Sequence, residues 1–286
     1  METISIICPT RNRPEWLHRL WQSAKDTASV MPEFCTYIDD DDTQSVPVCQ
    51  ELGIKYRQGE RKVYTQNYNE AAALATGSIL FDVADDFVFR EKDWDLKVIA
   101  EFDKVEDKII LVHGFDGVEG PENATHFFVH RRWVNALGYL FPPYFRWANA
   151  DVWMTRVAKA LDRQVYLPYI IVEHFRCWGG RAPADQTAHE QEATIRKYAW
   201  ADVAGYHSLD DRKADIEADI EKLRKAIVQY DKNHCYNNDP LPNGSNEEVR
   251  CEGRVDPSSS RGQENAVKLE PAGSSILRPL RTRFVR

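Results

Sequence analysis

Apolar positions in this chain follow two rhythms, and the first half switches between them in turn. Ile4-Ser5-Ile6-Ile7-Cys8 is a short apolar run of the kind that forms a buried strand. Pro14 then opens a helix with Trp16, Leu17, Leu20, Trp21 and Ala24 on one face. Proline suits that first position, where its missing N–H has no helical partner to lose. Residues 34–38 read as a second strand, 46–52 as a short helix and 54–57 as a third strand. Residues 64–75 carry helical spacing at Tyr64, Tyr68, Ala71, Ala72 and Ala75, and Gly77 is expected to stop that helix. Residues 79–83 return to strand. This order predicts an α/β fold whose mostly parallel sheet carries helices on its faces.

The second half is looser. Residues 94–102 and 151–161 have helical spacing; 108–112, 127–129, 165–167 and 170–174 read as strands. A helix is expected over 186–198, after the loop Trp178-Gly179-Gly180-Arg181. A charged amphipathic helix over 209–230, with Ile216, Ile220, Leu223 and Ile227 on one side, either packs on the body or joins two copies as a homo-oligomer. From 231 onward Asn, Pro, Gly, Ser and Glu dominate, and residues 231–286 read as a disordered tail.

Composition narrows the class. The 286 residues carry 45 acidic and 37 basic side chains, a net charge of −8 that argues against coating nucleic acid or membrane by charge alone. The six cysteines show no CxxC pairing and sit partly in strand runs, as buried free thiols do, which points to a reducing, cytoplasmic setting. No leader precedes the first strand, and no apolar run is long enough to span a bilayer. Asn123-Ala124-Thr125 matches a glycosylation sequon, read as accidental in that setting.

The chemistry concentrates after Gly77. The run Ile79-Leu80-Phe81-Asp82-Val83-Ala84 ends in Asp85-Asp86. A strand that delivers two carboxylates to its C-terminal end places hard oxygen ligands where open α/β sheets bind substrates, suited to Mg²⁺ or Mn²⁺ holding a diphosphate. The alternative is a polar turn that stops the strand. Asp82, inside the strand, reads as structural.

The loop Cys8-Pro9-Thr10-Arg11-Asn12-Arg13, the acidic end of strand two at Asp39-Asp40-Asp41-Asp42, and the block Asn69, Gly77, Asp85-Asp86 occur in that order. The ordered set resembles a family-2 glycosyltransferase of the GT-A fold, a Rossmann-like architecture, over about residues 3–190. The resemblance implies a domain over 1–205, with a nucleotide-binding half at 1–90 and an acceptor half at 91–205, followed by the helix of 206–230. It implies transfer of a sugar from a UDP-sugar, with Mn²⁺ or Mg²⁺, to an acceptor hydroxyl, read here as inverting. Thr10 and Arg11 match the loop that cups the nucleoside. Asp39 matches the carboxylate that accepts the uracil imide hydrogen, with Asp41 second; adjacent carboxylates repel, so most of that acidic run is expected to face water. Asp85 would approach the ribose and Asp86 would ligate the ion. His174, after the strand at 170–174, would complete the metal shell. Lys62 and Tyr64 would contact base or phosphates, with a solvated lysine as the alternative for Lys62. Arg176, Trp178 and Arg181 belong to a loop that would close on the donor. Asp151 resembles the catalytic base, with a helix N-cap as its alternative. His126, Arg131 and Trp147 fall on the acceptor side.

The acceptor stays open: a saccharide or glycan first, a hydroxymethylated pyrimidine in phage-type DNA second, the latter supported by Arg131, Arg132, Arg146, Arg176 and Arg181. Short enzymes of this kind occur in bacteria and phages. A nucleotidyltransferase ranks lower because the loop after strand one lacks glycine. A non-catalytic nucleotide-sugar-binding module is the remaining class.

Overall fold

The alternating first half winds β1 (Ile4–Ile7), β2 (Glu33–Asp39), β3 (Lys55–Gly59) and β4 (Ile79–Asp82) into a parallel block. Its connections are α1 (Pro14–Thr27), α2 (Ser45–Leu52) and α3 (Tyr64–Ala72). These are seen in a computed structural model that describes residues 2–143, 145, 149–177, 180–190, 192–193, 209 and 212–235. All of them belong to one unit, Met1–Asp239. Beyond the parallel block come β5 (Phe87–Phe89), α4 (Trp94–Asp103), β6 (Leu111–Phe115), β7 (Phe128–His130), α5 (Arg131–Leu137), α6 (Ala150–Ala160), β8 (Gln164–His174) and α7 (Lys213–Cys235).

The sheet order is β3-β2-β1-β4-β7-β6-β8-β5. The chain runs outward through β1, β2 and β3, then returns to place β4 on the other side of β1. That reversal opens a crevice at the C-terminal ends of β1 and β4, where α/β sheets bind ligands. β7 pairs antiparallel with both β4 and β6, and β8 joins β6 in parallel and β5 in antiparallel, so the far half is mixed.

Apolar side chains fill both faces of the sheet. One face is packed by Leu17 and Leu20 of α1, Trp94 and Phe102 of α4, and Phe81 and Phe128 stacked at 3.8 Å between ring centres. The other holds Tyr68 of α3, Trp133 of α5, Trp153 of α6 and Leu223 of α7. Burying aromatic rings of this size contributes roughly 2–3 kcal/mol each, which makes the two layers the main source of stability.

Several expectations are corrected. α3 ends at Ala72 rather than 75, tightening into short turns at Leu74 and Ala75. Gly77 therefore does not cap it. Its role is close approach: a Cβ there would lie 2.9 Å from the Ser5 backbone nitrogen, and its own N–H donates to Ser5 Oγ at 2.9 Å. The strands expected at 165–167 and 170–174 are one strand, β8. A bulge opposite Gly114 and Phe115 accommodates Pro168 and the change of partner. β5 was not expected; it is too short to show alternation.

α7 starts and ends later than 209–230, so residues 231–235 are helical and not tail. Its apolar face packs on the body through Ile220 and Leu223 and is not free to join a second copy. Asp219, fully buried on α7, accepts from Trp153 Nε1 at 3.1 Å, from Lys222 Nζ at 2.8 Å and from the Tyr139 hydroxyl. Residues 186–190 are helical; most of the rest of the 186–198 helix and the tail from 236 lie outside the described residues.

Candidate active site

The loop after β1 stays on the edge of β2: Thr10 N–H donates to the Tyr37 carbonyl at 3.2 Å. Asn12 takes a left-handed conformation, φ 51°, and its N–H donates to Asp42 Oδ2 at 2.7 Å. Asp42 Oδ1 accepts from the Gln44 and Ser45 amides at 2.9 and 3.0 Å. Asp42 is thus fully buried and structural, starting α2 and anchoring the loop. The expectation that most of the acidic run faces water is corrected: Asp40 and Asp41 do, while Asp39 and Asp42 are buried because loop donors need them.

Arg11 spans that turn. It donates to Asp39 Oδ2 at 3.0 Å, to both oxygens of Asp41 and to Glu190 Oε2 at 3.1 Å. These bonds raise its pKa, the Asp41 bond most, and hold Asp41 below the carboxylate range. Asp39 is raised by burial against the charges of Arg11 and Arg61. Its Oδ1 is buried and has no hydrogen-bond partner.

Asp85 and Asp86 follow β4 into a turn that faces this loop. Thr10 Oγ1 donates to Asp85 Oδ2 at 2.8 Å, and Arg13 Nη1 to Asp85 Oδ1 at 3.0 Å. Arg13 also grips Asp185 with two bonds, at 2.8 and 3.0 Å, and stands 3.9 Å from Asp86. Burial raises Asp85 in spite of Arg13. Asp86 is also raised by burial, but His174 beside it and Arg13 behind it bring it below its ordinary value.

His174 is set by the β8–β5 pairing opposite Phe87, on whose ring it stacks at 4.1 Å. Its Nε2 lies 3.2 Å from Asp86 Oδ1; neither that oxygen nor His174 Nδ1 makes a hydrogen bond among the described residues, and both atoms are buried. Burial lowers the His174 pKa, against Asp86, which raises it. No group of three His, Cys, Asp or Glu side chains among the described residues could hold a metal ion unaided. Two groups still fit a divalent ion that keeps positions for phosphate oxygens: the Asp86 carboxylate, whose Oδ1 makes no hydrogen bond among the described residues, and the His174 imidazole.

Asp82, at the end of β4, accepts the Phe127 amide at 2.8 Å, and both its carbonyl and Oδ2 lie 3.2 Å from His126 Nδ1. His126 therefore stands beside Phe87, 5.6 Å from the His174 ring. Burial pulls its pKa down, but the Asp82 hydrogen bond and charge leave it raised. Asp151 occupies the first turn of α6 and is half-buried, with Oδ2 accepting from Asn123 Nδ2 at 2.9 Å. It is not the N-cap: Asn149 holds that position, with φ 71°. Tyr64 begins α3, and Asp82, Asp151 and Asp86 all press on its hydroxyl.

Other expected residues point elsewhere. Lys62 pairs with Glu70 and lies over the Tyr37 ring. An open cavity of about 330 Å³ beside it is lined by Lys62, Gln66, Asn69 and Glu70. Asn69 clasps the 140–141 turn, donating to the Phe141 carbonyl and accepting from the Leu140 and Phe141 amides. Arg131 does not join the site. It lies at the opposite end of β4, spent on the Ala75 and Gly77 carbonyls at 2.7–3.1 Å. Arg181 reaches Glu173 and the His174 carbonyl. Arg176 makes no ion pair among the described residues, and its charge acts on His174. Trp147 and Trp178 lie outside the described residues.

Arg13, Asp185, Thr187 and Glu190 were not foreseen as site residues. Thr187 Oγ1 donates to the Arg11 carbonyl at 2.7 Å, so the 185–190 segment is strapped to the loop at three side chains. The one local signal was an aspartate before a helix: Asp185 Oδ1 accepts the Ala188 amide at 2.7 Å.

Residues 5–186 match the model of the family described as Glycosyl transferase family 2. No curated protein matches. Solved structures with similar architecture include S. aureus TarS 1–349 in complex with UDP-GlcNAc, 18% identical, TM-score 0.47, covering 66% of this chain and 64% of that one. Mannosyltransferase PcManGT from Pyrobaculum calidifontis, in complex with GDP-Man and Mn²⁺, is 13% identical, TM-score 0.48, covering 83% and 88%. Glucosyl-3-phosphoglycerate synthase from Mycobacterium tuberculosis, with Mg²⁺ and UDP, is 12% identical, TM-score 0.46, covering 61% and 72%. The match spans 36% of another TarS structure. No helix among the described residues is long and apolar enough to cross a membrane.

Proposed function

Starting from the membership of this chain in glycosyl transferase family 2, we propose that it moves a sugar from a UDP-sugar to a saccharide hydroxyl at the C-terminal ends of β1 and β4. The observation that carries this reading is a pair of buried carboxylate oxygens without a hydrogen bond among the described residues, Asp39 Oδ1 and Asp86 Oδ1, the second with the His174 imidazole 3.2 Å away. A buried acceptor left unmade costs about 1–3 kcal/mol, so each is a place prepared for a ligand. Asp39 Oδ1 accepts the uracil imide N–H, with Arg11 holding the carboxylate from its other oxygen. Asp85, steadied by Thr10 and Arg13, keeps lone pairs for a ribose hydroxyl. Asp86 and His174 hold Mn²⁺ or Mg²⁺, which when bound supplies positive charge against the departing diphosphate. Arg176 adds a second cation at that end. Asp151 removes the acceptor proton as the anomeric carbon is attacked from the opposite face, giving inversion.

The saccharide is favoured over a DNA base because three of the five arginines that would form a basic groove are committed. Arg131 binds backbone carbonyls, Arg132 binds the Glu106 and Asp107 carbonyls, and Arg181 pairs with Glu173. The test is a melting series with UDP and Mn²⁺. Ligand at a hundred times its Kd contributes about 2.7 kcal/mol, or roughly 5–10 °C in Tm. Asp86→Ala should abolish the shift, and a wild-type chain indifferent to every nucleoside diphosphate would overturn the reading. Asp151→Asn should keep the shift and lose turnover on a nucleotide-sugar panel.

A further inference from the structure

We infer that Asn123 is a positioning residue for Asp151: it pins one carboxylate oxygen so that the other is presented to the acceptor hydroxyl. The inference rests on Asp151 being the base. Asn123 Nδ2 donates to Asp151 Oδ2 at 2.9 Å, and Asp151 Oδ1 makes no hydrogen bond among the described residues. The orientation of the Asn123 amide follows from its other partner. Thr155 Oγ1 accepts the Ala124 amide at 3.0 Å and directs its own proton to Asn123 Oδ1 at 3.1 Å. The carbonyl of Asn123 is thereby claimed, and the NH₂ must face Asp151. Asp151 and Thr155 are one turn apart on α6, so a single helix face carries both the carboxylate and the lock that aims its partner. A free carboxylate turns about its last torsion almost without preference; the clamp removes that freedom.

Asp82 from β4 and Tyr64 from α3 also lie within electrostatic range of Asp151. On the far side of Asn123, Lys159 and Glu122 pair with each other at 2.9 Å.

The test is kinetic, on the full chain with the nucleotide-sugar panel. In Asn123→Ala turnover should fall about tenfold to a hundredfold while the Tm shift given by UDP and Mn²⁺ is kept, because the donor stays bound and only the aim of the carboxylate is lost. Wild-type turnover in folded Asn123→Ala overturns the inference, and so does loss of the UDP shift together with turnover. Should that variant not fold, Thr155→Val removes the hydroxyl that orients the amide and is read in the same way. The two readings fail separately. Asp151→Asn that turns over a nucleotide sugar at the wild-type rate sinks the base. Wild-type turnover in Asn123→Ala beside an inactive Asp151→Asn sinks Asn123 alone.

Discussion

Replacing Arg13 with methionine keeps its bulk and removes its charge. The guanidinium and the Asp85 carboxylate are both almost fully buried, at 9% and 6% side-chain exposure. Removing one member of such a pair leaves a buried charge uncompensated and costs about 3–5 kcal/mol. The bonds to Asp185, which is a third exposed, add less. For a domain of this size the loss lowers Tm by roughly 10 °C. The pH dependence gives the sharper check. The pKa of Asp85 in the folded chain is already raised by burial. A raised group contributes stability that is complete below its unfolded pKa and is lost as pH rises through the folded value. Without Arg13 the folded value moves higher still, so the extra loss grows from pH 5 to pH 8. Thermal and urea melts at both pH values, with Asp85→Asn alone and combined, are the assay. In the double variant most of the pH 8 loss should be recovered. Equal losses at both pH values, or additive effects of the two substitutions, would refute a charge-pairing role.

Asp39→Asn keeps the shape of the base site but makes the acceptor neutral, so UDP affinity by calorimetry should fall about tenfold to a hundredfold with little change in Tm; undiminished binding would move the uracil contact elsewhere. Asp219→Ala removes the carboxylate that accepts from the Trp153 N–H and the Tyr139 hydroxyl. It should cost about 2–4 kcal/mol in urea melts and loosen α7 by hydrogen exchange, and wild-type stability would remove Asp219 as the anchor of that helix.

The parallel half of the fold was legible because β1, β2 and β4 are dense apolar runs and α1 has a clean face. Ile4, Ile6 and Ile7, or Leu17 and Leu20, leave little choice of period. Boundaries slipped where tertiary contacts decide them. α3 stops before its apolar spacing does, because the chain must turn to bring Gly77 against Ser5. The candidate site was legible where the residues that the structure brings together form local clusters: Thr10-Arg11, Asp39 and Asp85-Asp86. It was hidden where it depends on pairing across the chain. Arg13 looks like an ordinary residue before a proline-started helix, and nothing local joins it to Asp185, 172 positions away. Arg131 misled for the reverse reason: a basic pair beside a strand looks available until the Ala75 and Gly77 carbonyls claim it.

The carboxylates of this chain differ in whether an oxygen is left over. Asp42 spends both oxygens on backbone amides, Asp82 on Phe127 and His126, and Asp219 on side-chain donors from α6, from α7 and from Tyr139 after α5. Each is fully buried, and each fixes one element against another. Asp39, Asp86 and Asp151 instead have one oxygen held by, or set beside, a neighbour and one side without a hydrogen bond. A folding chain gains nothing by burying an acceptor it cannot satisfy, since the desolvation cost is not returned. Under the proposed function a ligand would complete the oxygens of Asp39 and Asp86, at the ends of β2 and β4, while half-buried Asp151, at the start of α6, would keep its second oxygen for the acceptor. The three would then act in the order a transfer reaction requires: an acceptor for a base N–H, a carboxylate beside an imidazole at the diphosphate, and a base for the incoming hydroxyl.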